Sequence, residues 1–472
     1  MKLIRNARAI VTCDAEDHIY WNTDLLVDGP QIVKIGKNLP VPEGCEIIDA
    51  TDKFVYPGLV NTHHHFFQTF VRNLTSIDYP QMTVPEWLDK IYHVFQLVDE
   101  DVIYYSALTA FADLVKHGCT TAFDHQYCYT KAAGKFLVDR QMDAAAQIGI
   151  RYHAGRGTNT LPREKGSTMP ENMLETTDEF LADCERLIGK YQDASPFSMH
   201  QIVMAPCQPM NCYEDTFVET VKMARKYGVY MHTHLGEGEN DIIQARYGMR
   251  SLDWCEKIGF IGPDVWYAHG WEWTPEEYAR IGQAGSGVSH CPGPAVLGGF
   301  PILNIGDMLK KGVTVSLGCD GSATNDSSNL LDSLRMAYLM QAYFSKQRGG
   351  CTSAAQMLRV ATINGAKTLG RTDLGSLECG KGADLFLVDI SKLEYSGTLH
   401  DPQGLLARCG VTDRVWMTMI NGEVVYRDGT LTGVDEQELA RAAERTCTRV
   451  LRSKCYGAAL EAVWSAEGNG DY

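Results

Sequence analysis

Residues 55–69 read VYPGLVNTHHHFFQT, an apolar run that ends in three consecutive histidines. The run Val55–Asn61 has the length and the flanking Gly and Pro of a strand buried on both faces, and it predicts the first strand of a parallel sheet. Alternation carried past its end puts His63 and His65 on one side and His64 on the other, so two imidazoles converge. A His-x-His pair alone decides little, and its place at a strand end gives it weight. Further runs follow at Thr120–Asp124, Ile150–Ala154, Ile202–Ala205, Val229–His234, Val265–His269, Gly287–His290 and Val313–Gly318, with amphipathic helical windows between them. Strand-then-helix units repeated in this way predict an α/β fold, a (β/α)8 barrel over residues 57–374, whose functional groups gather at the C-terminal ends of the strands. His234, His269, His290 and Asp320 stand at those ends. Imidazoles with a carboxylate suit Zn²⁺, or less commonly Fe²⁺, better than Mg²⁺ or Ca²⁺, which take oxygen cages.

The chain ends have a different texture. Short alternating runs at Lys2–Val11, Leu25–Val27, Ile32–Ile35 and Cys45–Ile48 are matched by Ala383–Asp389, Arg414–Ile420 and Glu423–Tyr426, the last two joined by the hairpin signal Asn421-Gly422. Residues 1–56 and 375–430 are therefore expected to form one small β-sandwich domain, and residues 431–472 a C-terminal helix (Glu436–Leu451) and tail ending in a loose segment at Glu467–Tyr472. The formal charge of −16 opposes a nucleic-acid partner, whose phosphates need a basic surface. No apolar window is long enough to span a bilayer, and Arg5 and Arg8 interrupt the place of a signal peptide, so no membrane and a cytoplasmic location are expected. The fifteen cysteines show no repeated Cys-x-x-Cys pairing and read as reduced, buried thiols.

Five motifs, PGLVNTHHHFFQT (57–69), MHTHLGEG (231–238), YAHG (267–270), SHCP (289–292) and LGCDGSATND (317–326), resemble the amidohydrolase superfamily in order, spacing and strand placement. The resemblance implies that His63, His65, His234 and Asp320 hold a metal and that Glu237 is the general acid/base. It also implies that His269 and Asp320 act on the nucleophilic water. His232, two residues deeper on the same strand face, is expected behind the ligands. Binuclear members bridge their metals with a lysine near the end of strand four; His200–Cys207 contains none, which implies one metal per chain. That pattern is similar to the mononuclear deaminases and s-triazine chlorohydrolases, enzymes that displace a leaving group from an electron-poor N-heterocycle with no organic cofactor.

The segments GCTTAFDHQY (118–127), YHAGRG (152–157) and SATNDSSN (322–329) most resemble the 8-oxoguanine and isocytosine deaminase branch, with hydroxyatrazine-type aminohydrolases as close neighbours. On this reading the reaction is deamination of a 2-amino-4-oxo purine or pyrimidine. Gln68 would pair with the lactam edge, and Trp87, Tyr127, Arg156 and His290 would supply further substrate contacts. The loop Gly293–Gly299 departs from the branch pattern, which keeps a hydroxyatrazine-like triazine as the second reading; a non-catalytic scaffold is a third, opposed by the complete ligand set. The expected partners are a small heterocycle and further copies of the chain.

Overall fold

Gly58 divides the run that the sequence presents as one strand. In the computed structural model, which describes residues 1–72, 82–325, 327–348, 352–411 and 413–451, Lys53–Pro57 pairs with Leu385–Asp389 in a sheet built from the chain ends, and Leu59–Asn61 begins the barrel. A Cβ at Gly58 would lie 2.0 Å from Thr120 Oγ1, so this crossing from sheet to barrel has room for glycine alone. The predicted strand Val55–Asn61 is thereby corrected to two strands. The apolar pattern hid the break because both halves are buried, one in each sheet.

The barrel closes through parallel strands in chain order: Leu59–Asn61, Cys119–Gln126, Arg151–Thr158, His200–Pro206, Tyr230–Leu235, Val265–His269, Gly287–His290 and Thr314–Leu317. Every residue of the second and third strands is buried, as expected where strands line a filled barrel and carry helices outside. Sequence-coded caps start the outer helices: Thr176 and Glu179 form a reciprocal capping box on Thr177–Tyr191, and Thr274 and Glu277 do the same on Pro275–Ala284.

The chain ends combine in one nine-stranded sheet. Alternation gives it two packed faces: Phe54, Tyr56 and Phe386 join the barrel core, while Ile10, Val55, Leu385 and Leu387 close a separate core on the other side. Buried Arg151, at the start of the third barrel strand, grips Asp384 with Nε and Nη2 at 3.1 and 2.9 Å, fixing sheet to barrel. The helix Glu436–Leu451 packs on Glu100–Lys116, with Lys116 paired to Glu436. The expected loose segment Glu467–Tyr472 lies outside the described residues. No helix among the described residues is long and apolar enough to cross a membrane. A third apolar cluster, including Phe67, Phe95, Tyr127, Trp271, Ala295 and Ala323, covers the mouth where the C-terminal strand ends open.

Candidate active site

Strand ends bring His63, His65, His234, His269 and Asp320 together with Glu237. Backbone acceptors fix how the imidazoles face. His65 Nδ1–H donates to the His125 carbonyl at 2.9 Å and His234 Nδ1–H to the Cys207 carbonyl at 2.7 Å. Each ring is then left with a lone pair on Nε2, and these two atoms lie 3.1 Å apart. A third ring is set by relay: His232 Nδ1–H donates to the Trp266 carbonyl at 3.0 Å, so its Nε2 accepts from His63 Nδ1–H at 2.9 Å. His63 Nε2 remains buried without a hydrogen-bond partner among the described residues, 3.3 Å from Asp320 Oδ1, while His65 Nε2 lies 3.4 Å from the same oxygen. Burial first, then neighbouring histidines, holds His63 and His234 well below the ordinary imidazole range, so the rings are neutral. Lone pairs and one carboxylate facing inward among buried rings form a cation's donor set, because without a cation these acceptors would only oppose one another. The residues fit a metal.

Asp320 and His269 carry the strain of this convergence, with φ of 63° and 75° at the strand ends. Burial would raise the Asp320 carboxyl, but His269, His65 and His234 outweigh it and hold it below the usual carboxylate range. Glu237 leaves strand five on a Gly-Glu-Gly turn. The Glu239 carboxylate takes the backbone N–H of Gly236 and of Glu237, both at 2.7 Å, and so pins the turn. This aims Glu237 Oε1 to within 3.2 Å of His269 Nε2. Burial, followed by the charges of Asp320, Glu239 and Glu272, pushes the Glu237 carboxyl well above its usual range, and burial pushes His269 down to about 4. A carboxyl whose hold on a proton is raised, set beside a neutral imidazole, is equipped for proton transfer.

The other predicted contacts divide. Tyr127 reaches the cluster edge-on to His65, with centroids 4.9 Å apart. Gln68 is buried beside the strand-eight loop, where its Oε1 accepts the Ala323 N–H at 3.1 Å, which holds the amide in place and uses one of that oxygen's two lone pairs. Trp87 joins the apolar cover, edge-on to Phe95. His290 is buried at the end of strand seven, outside the metal-type groupings of the described side chains. Arg156 is turned away from the cluster. Its Nε bonds Asp183 at 2.8 Å, its Nη1 and Nη2 bond Glu175 at 2.8 and 2.6 Å, and the guanidinium lies 3.6 Å over the Tyr129 ring. Replacing Arg156 with Met should leave Glu175 without its cationic partner and Asp183 with Arg186 alone, and destabilise the fold by about 2 kcal/mol in a urea melt, with KM of the folded enzyme unchanged. A raised KM at unchanged stability would return Arg156 to the substrate.

His232 lies behind His63, as anticipated. His125, Glu239 and Trp271 were not singled out from the sequence. His125 stacks on His234 at 4.8 Å and 25°, and its position at a strand end within GCTTAFDHQY was the available signal.

A parallel eight-stranded barrel with a neutral-histidine and carboxylate cluster at its mouth and a half-buried carboxyl beside it defines a metal-dependent hydrolase. The sequence model of the amidohydrolase family matches residues 54–425, and the chain belongs to that family. It is 50% identical over 461 residues to hydroxydechloroatrazine ethylaminohydrolase of Pseudomonas sp. (strain ADP), covering 96% of each chain. It is 34% identical to 8-oxoguanine deaminase of Pseudomonas aeruginosa, covering 92% of this chain and 95% of that one. The solved structure of atrazine chlorohydrolase TrzN from Arthrobacter aurescens TC1 complexed with zinc superposes with a TM-score of 0.89 at 30% identity, over 95% of this chain and 100% of the other. The protein is a hydrolytic enzyme that cleaves C–N bonds.

Proposed function

We propose that the enzyme hydrolyses an alkylamino substituent from a hydroxylated s-triazine, releasing the alkylamine. The observation that carries this reading is the 50% identity to hydroxydechloroatrazine ethylaminohydrolase along 96% of both chains, against 34% to 8-oxoguanine deaminase. It favours the second of the two heterocycle readings over 2-amino-4-oxo purine deamination. One feature of the site supports the same choice: Tyr127 and Trp271 line the histidine cluster with aromatic faces suited to an alkyl group.

His63, His65, His234 and Asp320 would hold one metal, proposed as Zn²⁺, with Fe²⁺ compatible with the same donors. Bound there, the ion would supply the Lewis acidity that makes water a nucleophile near neutral pH. The chain's own groups do the rest. Asp320 and His269 orient the water and take a proton as its oxygen bonds to the ring carbon. Glu237 in its protonated form donates to the adjacent ring nitrogen, which draws electron density away from that carbon. The proton taken from the water, handed on by Asp320 and His269, recharges Glu237, which passes it to the exocyclic nitrogen as the C–N bond breaks; the ring N–H then returns its proton to Glu237. The products are a ring hydroxyl and a neutral amine, so atoms and protons balance.

The holoenzyme should release ethylamine from an ethylamino-hydroxy-s-triazine with kcat/KM at least about 10²-fold above ammonia release from 8-oxoguanine, guanine or isocytosine. Product analysis by mass spectrometry over this panel decides it. Preference for the oxopurines would restore the other reading.

A further inference from the structure

Trp271 follows strand six by two residues, and the proton-transfer scheme makes no use of it. Its ring centroid lies 4.7 Å from that of His269, whose Nε2 in turn lies 3.2 Å from Glu237. The indole is held in place from its other side by Phe300, stacked at 4.4 Å with 13° between the planes, at the end of the loop whose sequence departs from the oxopurine branch. Phe67, Ala295 and Ala323, which share its apolar cluster, follow strands one, seven and eight, so the indole belongs to the cover of the mouth. Trp271 is 7% exposed, and its Nε1–H is buried with no acceptor among the described residues. An indole nitrogen only donates, and leaving such a donor unpaired in an apolar setting is costly, so buried tryptophans ordinarily find a partner. The rings of His63 and His269 also show unpaired nitrogens, which the metal and the proton transfer account for; Trp273 Nε1 and Tyr129 Oη are buried and unpaired among the described residues as well, but of these three rings it is Trp271 that packs on a histidine of the cluster.

We infer that Trp271 is a specificity-determining residue, and that its Nε1–H donates to the oxo or hydroxyl oxygen of the bound heterocycle. This rests on the reading of the site as one for oxygenated N-heterocycles, but not on which ring is turned over, since hydroxytriazines and oxopurines both carry that oxygen. Phe300 fixes the plane of the indole, so little freedom is lost when the bond forms.

The test uses metal-loaded enzyme and two competitive inhibitors with the same triazine ring and amino substituents, one bearing the oxygen and one with hydrogen in its place. Wild type should bind the oxygenated ring about tenfold or more tightly than its partner, the selectivity of one buried hydrogen bond. Trp271→Phe keeps an aromatic wall and removes the donor. It should bring the two inhibition constants to near equality, with metal content and melting temperature retained. Trp271→His, which restores a ring N–H, should recover part of the preference. Wild type that does not distinguish the two inhibitors overturns the inference whether or not the variants fold, as does Trp271→Phe that keeps the full preference. Turnover of the ethylaminotriazine by wild type, scored separately, reports on the proposed reaction and not on Trp271.

Discussion

Glu237→Gln should leave metal content unchanged and lower kcat by about 10²–10⁴. The amide has nearly the same shape and can keep the contact with His269, 3.2 Å away, but it cannot give up and regain a proton between a ring nitrogen and a leaving amine. The surroundings of Glu237 make its role specific. Burial and the charges of Asp320, Glu239 and Glu272 hold its proton to higher pH than an ordinary carboxyl keeps it. The Glu239 clamp on the Gly236 and Glu237 N–H groups fixes where that proton is delivered. A loss concentrated in kcat, with KM little changed, is the signature of an interaction made in the transition state. Unchanged turnover at full metal occupancy would remove Glu237 from proton transfer.

The site's residue types were legible because each lies where a predicted strand ends: His63 and His65 by alternation, His234, His269 and Asp320 by their place after apolar runs. The terminal sheet was legible from the Asn421-Gly422 turn and from two sets of runs too small to make cores alone. What stayed hidden depends on contacts distant in sequence. Nothing local to Val55–Asn61 marks the crossing at Gly58, because the obstacle is Thr120. Gln68 reads as an unanchored amide until the N–H of Ala323, 255 residues on, bonds its oxygen. Arg156 follows a strand like a substrate contact, yet Glu175 and Asp183 claim it from the next helix and its approach. The substrate class follows the same division. The motifs shared by the deaminase and triazine branches carry the common chemistry, whereas the loop Gly293–Gly299, where the sequence departs from the oxopurine branch, runs to Phe300 at the mouth and there meets a side chain from a different strand end.

His234→Ala should strip the metal and abolish turnover, with at least about a 10³-fold loss in kcat/KM, and added Zn²⁺ should restore little of it. The size of the effect follows from how the ligand is set. His234 donates through Nδ1 to the Cys207 carbonyl, which fixes the tautomer and aims the Nε2 lone pair toward His65 Nε2, 3.1 Å away. Disturbing a supporting partner of such a ligand already costs about 10–100-fold in affinity or activity, and removing the ligand should cost more. Alanine also opens a void beside His125, His269 and Tyr127, whose rings pack on His234. A separate control is therefore needed: chelation of the wild-type enzyme should abolish activity in the same way, and restoring one equivalent of Zn²⁺ should return it with the melting temperature of the untreated protein. Elemental analysis distinguishes the outcomes. About one metal per chain in wild type and little in His234→Ala fits the single donor set, because His200–Cys207 offers no bridging lysine. Two tightly held metals, or full occupancy and activity in His234→Ala, would mean that the ligand set has been drawn from the wrong side chains.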